Sequence, residues 1–372
     1  MQADTEALLD FAHAHGVDAL LARSALAVQA LPADADRLKA LLAGYEALSL
    51  LRTKELRRVL DALATAGLRP IIIKGAHLAH VLYESPALRP RSDTDLVIAQ
   101  EEEERASRAL QELGYERLVH VRGTLILGQS HFIRRDDADV EHALDVHWRI
   151  ASPLVFRDVM SADTLRASAV PIPELGSAAW GPALPHALLI ACVHVVAHHR
   201  EDPLLLWFYE IAALVRALDE AGVNAFVECA VAGRITAVCA AALQRAQMHF
   251  GSPRLYELAQ RLHEHAAAHE PSAQLLRASR RVDELWLDLR VSNGWGERLT
   301  LLREHLWPDA EYMRAITNRA EWLPFSYARR AAAGALKWSA PTDGSGRREE
   351  PAGWRADSAE ASASRAPSKT SL

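Results

Sequence analysis

The sequence predicts an α/β protein of the α+β kind, in which a small mixed sheet is flanked by helices. Three short β-type segments predict the sheet: the isoleucine run 71–73, the segment 93–98 that reads DTDLVI, and a hairpin around residues 136–138. Apolar residues recur at three- and four-residue spacing from residue 5 up to this region, and again after residue 152. The predicted core is therefore a group of strands between two helical stretches.

The chain divides by composition into four predicted segments. Gly67 stands where an amphipathic helix should end and the strand region should begin. The last part of the chain is rich in Ser, Ala, Pro, Gly and charged residues with little to bury, which predicts disorder. The predicted segments are an N-terminal helical segment at 1–67, a core with the predicted strands at 68–150, a helical domain at 151–337 and a disordered tail at 338–372.

The composition is that of an ordinary soluble globular protein. The 372 residues are 50% hydrophobic and 24% charged, and a formal net charge of −6 gives no sign of a basic face for nucleic acid. Three cysteines without a CxxC pair indicate neither a disulfide framework nor a cysteine zinc site. The amino terminus lacks the pattern of a secretory signal, and no apolar run is long enough to span a membrane. We expect a cytoplasmic protein with no membrane contact and no nucleic-acid substrate.

Other elements follow from the same patterns. Short strands are predicted at 115–119 and 124–127, and the hairpin is predicted to pair 131–135 with 140–148. The spacing of apolar residues after residue 152 predicts helices at 185–197, 204–218, 224–250, 256–267 and 272–289.

A pair of carboxylates lies at the start of the second predicted strand. Asp93 and Asp95 are two residues apart, so their side chains project to the same face of that strand. Two carboxylates so placed repel each other unless a cation lies between them. Oxygen ligands suit Mg²⁺, which takes one or two protein carboxylates and fills its other positions with water and substrate phosphates. The pair therefore predicts a magnesium site.

A third carboxylate, Asp145, lies in the segment ALDVHWRI at residues 143–150. Strand alternation places Asp145 and His147 on one face. If this strand pairs beside residues 93–98, three carboxylates converge. Such a set can hold two metal ions about 4 Å apart, of which one activates an attacking oxygen and one neutralises leaving pyrophosphate.

These motifs resemble those of a known family. The segment IIIKGAHLAHVLYESPALRPRSDTDLVI, followed by LDVHWRI, is similar to bacterial nucleotidyltransferases of the DNA polymerase β superfamily with the signature LKGxxL, RPxxDxDLLV and DLHW. The similarity extends to residues 189–214 and to 305–314, which read HLWPDAEYMR. It therefore covers most of residues 1–335 and implies a polymerase-β-like nucleotidyltransferase core.

The resemblance also implies roles for the acidic residues. Asp93 and Asp95 are implied as metal ligands, and Asp145 as the third carboxylate, which completes the metal site or accepts the proton of the acceptor hydroxyl. The implied cofactor is Mg²⁺, with Mn²⁺ as the alternative. The implied substrates are a nucleoside triphosphate, with ATP favoured, and an acceptor that is a small molecule, a peptide or a protein.

The phosphate-binding region departs from the family pattern. The superfamily usually has a Gly-Ser pair after its first strand to hold the triphosphate, whereas this sequence has Lys74 and Gly75. Lys74 either reaches the triphosphate as a point charge or pairs with Asp95. Gly75 is either a backbone necessity or a tight turn that aims the amides of the next helix at phosphate. In addition, Glu210 stands where an aspartate is expected.

Three further residues beside the acidic strand are candidates for nucleotide contact. Arg89 and Arg91 flank the carboxylates, and each either binds phosphate or neutralises the acidic strand. Arg89 fits the resembled motif and is the better candidate. Ser92 either caps the chain or contacts the nucleotide.

Three histidines are candidates for an acceptor cleft. His147 shares the face of Asp145, where it either supports the site or packs under its rim. His194 and His198 are four residues apart, which is metal-ligand spacing on a helix, but the run HVVAH lacks the glutamate of a zinc protease. Core or interface histidines are the favoured interpretation, and the alternative is that they line a cleft between the two units.

The sequence therefore predicts a magnesium-dependent enzyme that moves a nucleoside monophosphate from a triphosphate to a hydroxyl or phosphate acceptor and releases pyrophosphate. The missing Gly-Ser pair motivates an alternative, a non-catalytic accessory or binding protein of a peptide or natural-product biosynthetic operon. A third possibility is a histidine-metal enzyme centred on His194 and His198.

Overall fold

The structure is a computed structural model of the whole chain. It describes most of the chain from residue 2 to residue 316 and a few residues beyond. The described residues are 2–119, 123, 125–199, 203–267, 269–278, 280–316, 324–327 and 329. The predicted disordered tail at 338–372 lies outside them.

Three helices precede the sheet. They are α1 (Gln2–Ala14), α2 (Asp18–Ala27) and α3 (Ala35–Thr65), with a 3₁₀ turn at Pro32–Asp34 between the last two. The apolar residues of α3 that recur at helical spacing are buried at its C-terminal half: Leu56, Val59, Leu60 and Leu63. This apolar stripe packs on the sheet, so α3 forms one layer of the core. The helical prediction for this part of the chain is confirmed.

The sheet has five strands in the order β1-β2-β5-β4-β3. Strands β2 and β5 are parallel, and every other neighbouring pair is antiparallel. The sheet is therefore mixed, as the sequence predicts. Its strands are β1 (Ile71–Ile73), β2 (Asp93–Val97), β3 (Glu116–Arg117), β4 (Gln129–Arg135) and β5 (Glu141–His147).

Helix α4 (Lys74–Val81) follows β1 directly, and α5 (Glu103–Glu112) follows β2. Short 3₁₀ turns at Pro86–Leu88 and Gln100–Glu102 precede β2 and α5 respectively. The two faces of the sheet differ in their partners. Apolar residues on one face pack with α3 and α5, and those on the other face join the large apolar cluster of the C-terminal helices.

The C-terminal part of the described chain is mostly helical. Residues of α7 and α8 belong to the same apolar cluster as Ile71, Ile73 and Val97, which lie on one face of the sheet. The helices are α6 (Ala162–Ala167), α7 (Leu184–His198), α8 (Leu205–Ala217), α9 (Glu220–Ala232), α10 (Thr236–Phe250), α11 (Pro253–Glu264), α12 (Arg281–Val291), α13 (Gly294–Leu306) and α14 (Ala310–Ile316), with 3₁₀ turns at Leu154–Phe156, Pro173–Leu175 and Pro271–Arg277.

The predicted helix at 224–250 is wrong, because the chain forms two helices there. Helix α9 ends at Ala232, and Arg234 takes a left-handed conformation with φ of 54°. The N–H of Ile235 then donates to the carbonyl of Ala230, which closes the end of α9 before α10 begins.

The predicted helix at 272–289 is also interrupted. The chain forms a 3₁₀ turn at Pro271–Arg277, and α12 starts at Arg281. The backbone N–H of Arg280 donates to the carboxylate of Asp283, which fixes the start of the new helix.

Two strand predictions also need correction. The predicted strand at 115–119 shortens to the two residues of β3. Within the predicted strand 124–127, residues 125–127 are not extended in a sheet, because the amides of Leu125 and Ile126 donate to the carboxylate of Glu304. A small antiparallel pair, β6 (Val170–Pro171) with β7 (Trp180–Gly181), lies between α6 and α7 in the chain.

None of the helices in the described part of the chain combines the length and the apolar character needed to cross a membrane.

Candidate active site

One face of the sheet carries the predicted acidic residues. The parallel register of β2 and β5 pairs Asp93 with Ala143 and Asp95 with Asp145. Since alternate residues of a strand project to the same side, Asp93, Asp95 and Asp145 lie on one face. That face is the one that packs toward α7 and α8. The structure therefore brings the three carboxylates to the boundary between the sheet and the C-terminal helices.

Asp95 is held by two nitrogen groups. Its Oδ1 lies 2.6 Å from Nζ of Lys74 and 2.7 Å from Nε2 of His147, and its side chain is almost fully buried. Burial would raise the pKa of Asp95, but Lys74 and the bond from His147 hold that pKa well below its usual range. Asp95 is therefore ionised at neutral pH.

The backbone places the ammonium group of Lys74 against Asp95. The antiparallel register pairs Ile73 with Asp95, so the chain leaves β1 beside that carboxylate. Lys74 begins α4 with φ of 52°, a left-handed conformation that costs energy in a residue other than glycine. This turn lies where the superfamily usually has a glycine before its serine. Of the two predicted roles of Lys74, partner of Asp95 is the one present in this structure.

Asp93 differs from its neighbour on the strand. Burial, followed by the charges of Asp95 and Asp145, raises the pKa of Asp93 to about 7. The positive charges of Lys74 and Arg89 oppose this rise but do not cancel it. Additional positive charge beside Asp93 would therefore favour the ionised form of its carboxylate.

Asp145 has two partners that the sequence reasoning missed. His131 Nδ1 lies 2.6 Å from Asp145 Oδ1, and the side-chain amide of Gln129 donates to Asp145 Oδ2 at 3.3 Å. The same amide lies 2.8 Å from His131 Nε2. The pairing of β4 with β5 places His131 opposite Asp145 and Gln129 opposite His147. The predicted hairpin included His131 but began after Gln129, and only a register fixed by its turn would have placed His131 opposite Asp145.

These side chains fit a divalent cation. Asp95, Asp145 and His147 each offer one ligand atom, and the three atoms lie within 4.8 Å of one another. Metal–ligand distances of about 2.0–2.6 Å allow ligand atoms on opposite sides of an ion to be separated by about this much. Two carboxylates and an imidazole are suitable donors, and His131 and Gln129 orient one of the carboxylates. Asp93 lies on the same face, two residues before Asp95.

Arg89 is engaged by the C-terminal helices. Its Nε donates to Glu210 Oε1 on α8 at 2.7 Å, and Tyr83 donates to the same oxygen at 3.3 Å. Burial lowers the pKa of Arg89, but the charge and the hydrogen bond of Glu210 raise it above its usual range. A Cβ atom at Gly75 would lie 2.8 Å from Cζ of Arg89, so this position requires glycine for close packing. Glu210, at the position where an aspartate is expected, therefore pairs with Arg89, one of the side chains predicted to bind phosphate.

Arg91 and Ser92 lie beside this pair. Arg91 is 8% exposed, and burial followed by the charges of Arg52 and Arg89 lowers its pKa to about 10. Ser92 is exposed and borders a small pocket that also contains Asp93. The sequence reasoning did not single out Arg52, which lies on α3.

The two histidines of α7 lie in a ring cluster at this boundary. His194 is partly buried, and its ring makes an edge contact with Trp207 at a centroid distance of 5.2 Å. The rings of His194 and His198 are 5.8 Å apart. Burial, followed by the charge of Lys74, lowers the pKa of His194 well below its usual value. His194 is therefore neutral and faces the charged site, whereas the described residues place no group of three metal-ligating side chains around it.

Comparisons with known proteins identify one family. The profile of a family described as uncharacterised nucleotidyltransferase matches residues 1–251. No curated protein matches the chain. Among solved structures, the chain resembles the antibiotic-resistance factor ANT(2'')-Ia, described as having substrate-regulated conformation dynamics, with 15% identity and a TM-score of 0.36 over 54% of this chain and 99% of that one.

Proposed function

Because the chain belongs to the family of uncharacterised nucleotidyltransferases, we propose that it transfers a nucleoside monophosphate from a triphosphate to a hydroxyl or phosphate acceptor and releases pyrophosphate. One observation carries the proposal: the parallel pairing of β2 and β5 gathers Asp93, Asp95 and Asp145 on one partly buried sheet face. In nucleotidyl transfer, carboxylates hold the metal ions that neutralise the charge developing on the triphosphate. We assign residues 68–150 as the catalytic core, between helical segments at 1–67 and 151–337.

The residues of this face have separate roles in the proposal. Asp95 and Asp145, with His147 close by, would hold a divalent cation, for which we propose Mg²⁺ with Mn²⁺ as the alternative. A bound divalent cation supplies positive charge to the phosphates and the leaving pyrophosphate. Asp93 completes the acidic set. Lys74 keeps Asp95 ionised and is close enough to this set to contribute its charge to the triphosphate.

The acceptor cleft is proposed between the sheet face and α7 with α8. His194 and Trp207 lie on these helices, and His194 is near enough to feel the charge of Lys74. A neutral imidazole and an indole ring suit an uncharged part of an acceptor or a nucleobase. His198 belongs to the same ring cluster. We propose ATP as the nucleotide, and a small molecule or a peptide as the acceptor, with the reaction in the cytoplasm of a bacterium.

Radioactive labelling tests the proposed reaction. The full chain is incubated with a small-molecule and peptide fraction, Mg²⁺ and a triphosphate labelled at either the α- or the γ-phosphate. The proposal expects label from the α-position in an acceptor, release of labelled pyrophosphate from the γ-position, and loss of both in Asp93→Ala. Transfer of the γ-label, or unchanged α-transfer in Asp93→Ala, would contradict it.

One observation favours a second candidate, a non-catalytic binding protein on the same fold. The two cations predicted to bind phosphate, Lys74 and Arg89, are both paired with carboxylates of the protein, Asp95 and Glu210. Calorimetry with Mg²⁺ and each triphosphate separates the two candidates. Absence of binding at millimolar nucleotide would favour the binding protein, whereas saturable binding supports the transferase.

A further inference from the structure

Two small pockets lie between α3 and the loop that leads into β2, and Arg52 lines both of them. One pocket also contains Ser92 and Asp93. The other also contains Arg89 and Arg91. Arg52 therefore stands between the acidic face and a second positively charged side chain. The charge of Asp93 acts on both Arg52 and Arg91, which shows that all three side chains belong to one neighbourhood.

Arg91 is a buried charge without a matching anion. Its side chain is 8% exposed, and neither Nε nor Nη2 has a hydrogen-bond partner among the described residues. Buried guanidinium groups are normally paired, because an uncompensated charge in the interior is costly. Arg52 and Arg89 add like charge around it. A buried polar group without a partner in a native protein calls for an explanation, and a bound ion is one such explanation.

Arg89, unlike Arg91, has its hydrogen-bond partners within the protein. Its guanidinium donates to both carboxylate oxygens of Glu210 and to the carbonyl of Pro90. The charge of Glu210 is therefore committed to Arg89. The nearest acidic group that acts on Arg91 is Asp93, which belongs to the catalytic face. Arg52 and Arg91 thus remain as two guanidinium groups that can share one anion.

We propose that Arg52 and Arg91 form a binding site for a phosphate group beside Asp93. The guanidinium plane presents paired N–H donors that match phosphate oxygens, and Arg91 has two unpartnered donor atoms to offer. Bound phosphate neutralises the two arginines. The site lies on the α3 side of Asp93, and Lys74 lies on the Asp95 side, so the acidic face is bordered by positive charge at both ends.

The identity of the anion as phosphate rests on the proposed function, because a nucleotidyltransferase handles a triphosphate and accepts hydroxyl or phosphate groups. The presence of an anion site does not depend on that function. The phosphate group belongs either to the triphosphate or to a phosphorylated acceptor. Both sources present the same oxygens to the arginines.

Binding of inorganic phosphate tests the site directly. The full chain is titrated with sodium phosphate by calorimetry in EDTA at constant ionic strength, so that bound cations do not contribute. The wild type is expected to show saturable binding, and Arg91→Gln and Arg52→Gln are each expected to weaken it at least tenfold. No saturable binding by the wild type would overturn the proposal.

Arg149 provides a matched control. Its side chain is also 8% exposed and its Nε is also without a hydrogen-bond partner, but it lies past the other end of β5 and donates to the carbonyl of Leu125. Arg149→Gln should leave phosphate affinity within twofold of the wild type. An equal loss in Arg149→Gln would show that only net charge matters and would overturn the site.

Titration with ATP and Mg²⁺ identifies the source of the phosphate. A tenfold loss of ATP affinity in Arg91→Gln assigns the site to the triphosphate. Unchanged ATP affinity with loss of inorganic phosphate assigns it to the acceptor. Failure of nucleotidyl transfer in the labelling assay would contradict the proposed function. The phosphate titration of the wild type and Arg91→Gln would still test the anion site.

Thermal unfolding without phosphate excludes a purely structural role. Arg91→Met should unfold at the same temperature as the wild type or higher, because it removes an unpaired buried charge. Arg89→Met should unfold at a clearly lower temperature, because it leaves Glu210 buried and unpaired. A fall for Arg91→Met as large as that for Arg89→Met would show that Arg91 has a structural role and would overturn the proposal.

Discussion

The two ends of the acidic face are built differently, although Asp93 and Asp95 are only two residues apart. At the Asp95 end the negative charge is compensated inside the protein, by Lys74 at 2.6 Å and His147 at 2.7 Å. At the Asp93 end burial, followed by the charges of the neighbouring carboxylates, raises the pKa of Asp93 to about 7, and Arg52 and Arg91 lie nearby without a closed ion pair among the described residues. The Asp95 end is therefore preformed, and we propose that the Asp93 end is open and takes positive charge from its ligands.

The largest expected effect is on catalysis, where both ends are needed. Asp93→Asn and Asp95→Asn should each lower the rate of label transfer at least about 1,000-fold. Either change removes a carboxylate that helps to hold the cation, and the cation neutralises the phosphates. The rate of α-label transfer measures this. A variant that retained a tenth of wild-type activity would show that its end of the face is dispensable.

Stability should separate the two ends, because only Asp95 has an internal cation. Asp95→Asn leaves Lys74 buried without its partner and should destabilise the metal-free protein by roughly 3 kcal/mol. Asp93→Asn should not destabilise it at pH 8. The folded-state pKa of Asp93 is raised to about 7, so its contribution to stability is present below about pH 4 and lost as pH rises through about 7.

Urea unfolding at pH 8 in EDTA measures both variants of this comparison. Equal destabilisation by Asp93→Asn and Asp95→Asn would show that the Asp95 end is not preformed relative to the Asp93 end.

The support of Asp145 should have a smaller effect, on metal affinity. His131→Gln removes an imidazole that orients Asp145 and should weaken Mn²⁺ binding about 10- to 100-fold. His142 is a matched control, since it is also bonded to an aspartate, Asp136, and also lies in the sheet, but at the turn end of the hairpin. His142→Gln should leave Mn²⁺ affinity unchanged. Equal losses in the two variants would assign His131 to the general stability of the hairpin.

The smallest expected effect is the pH dependence of metal binding. Protons compete with the cation at Asp93, whose pKa is raised to about 7, so Mn²⁺ affinity should fall about tenfold between pH 8 and pH 6. Fluorescence or calorimetric titration at the two pH values measures the change. The same affinity at both would show that Asp93 does not take part in metal binding.

Local patterns predicted the strands that carry the acids but not the contacts between them. The β-branched run at β1 and the alternation of Asp93 and Asp95 are local signals. The pairing with the strand of Asp145 was only a condition of the three-carboxylate site, and its parallel direction comes from the structure. His131 escaped because its face depends on hairpin register, which changes with one residue in the turn. Arg52 escaped because a polar residue on a long amphipathic helix has no local sign that distinguishes it from a solvated one.

The missed helix boundaries have a similar cause. Apolar spacing is continuous through residues 224–250, and the break depends on Arg234 taking a left-handed conformation that nothing in the periodicity requires. The engagement of Arg89 by Glu210 joins residues 121 positions apart, which no sequence pattern reveals. Elements were therefore predictable where one segment decides them, and the site partners were not where two segments do.

Electron paramagnetic resonance of Mn²⁺ tests most directly whether the acidic face is a single cation site. The signal of free Mn²⁺ is followed as it is added to the wild type, to Asp95→Asn and Asp145→Asn, and to the control Asp136→Asn at the hairpin turn. The account predicts saturable binding by the wild type and by Asp136→Asn, and at least about 100-fold weaker binding by the other two variants. Wild-type affinity in Asp95→Asn or Asp145→Asn would contradict it.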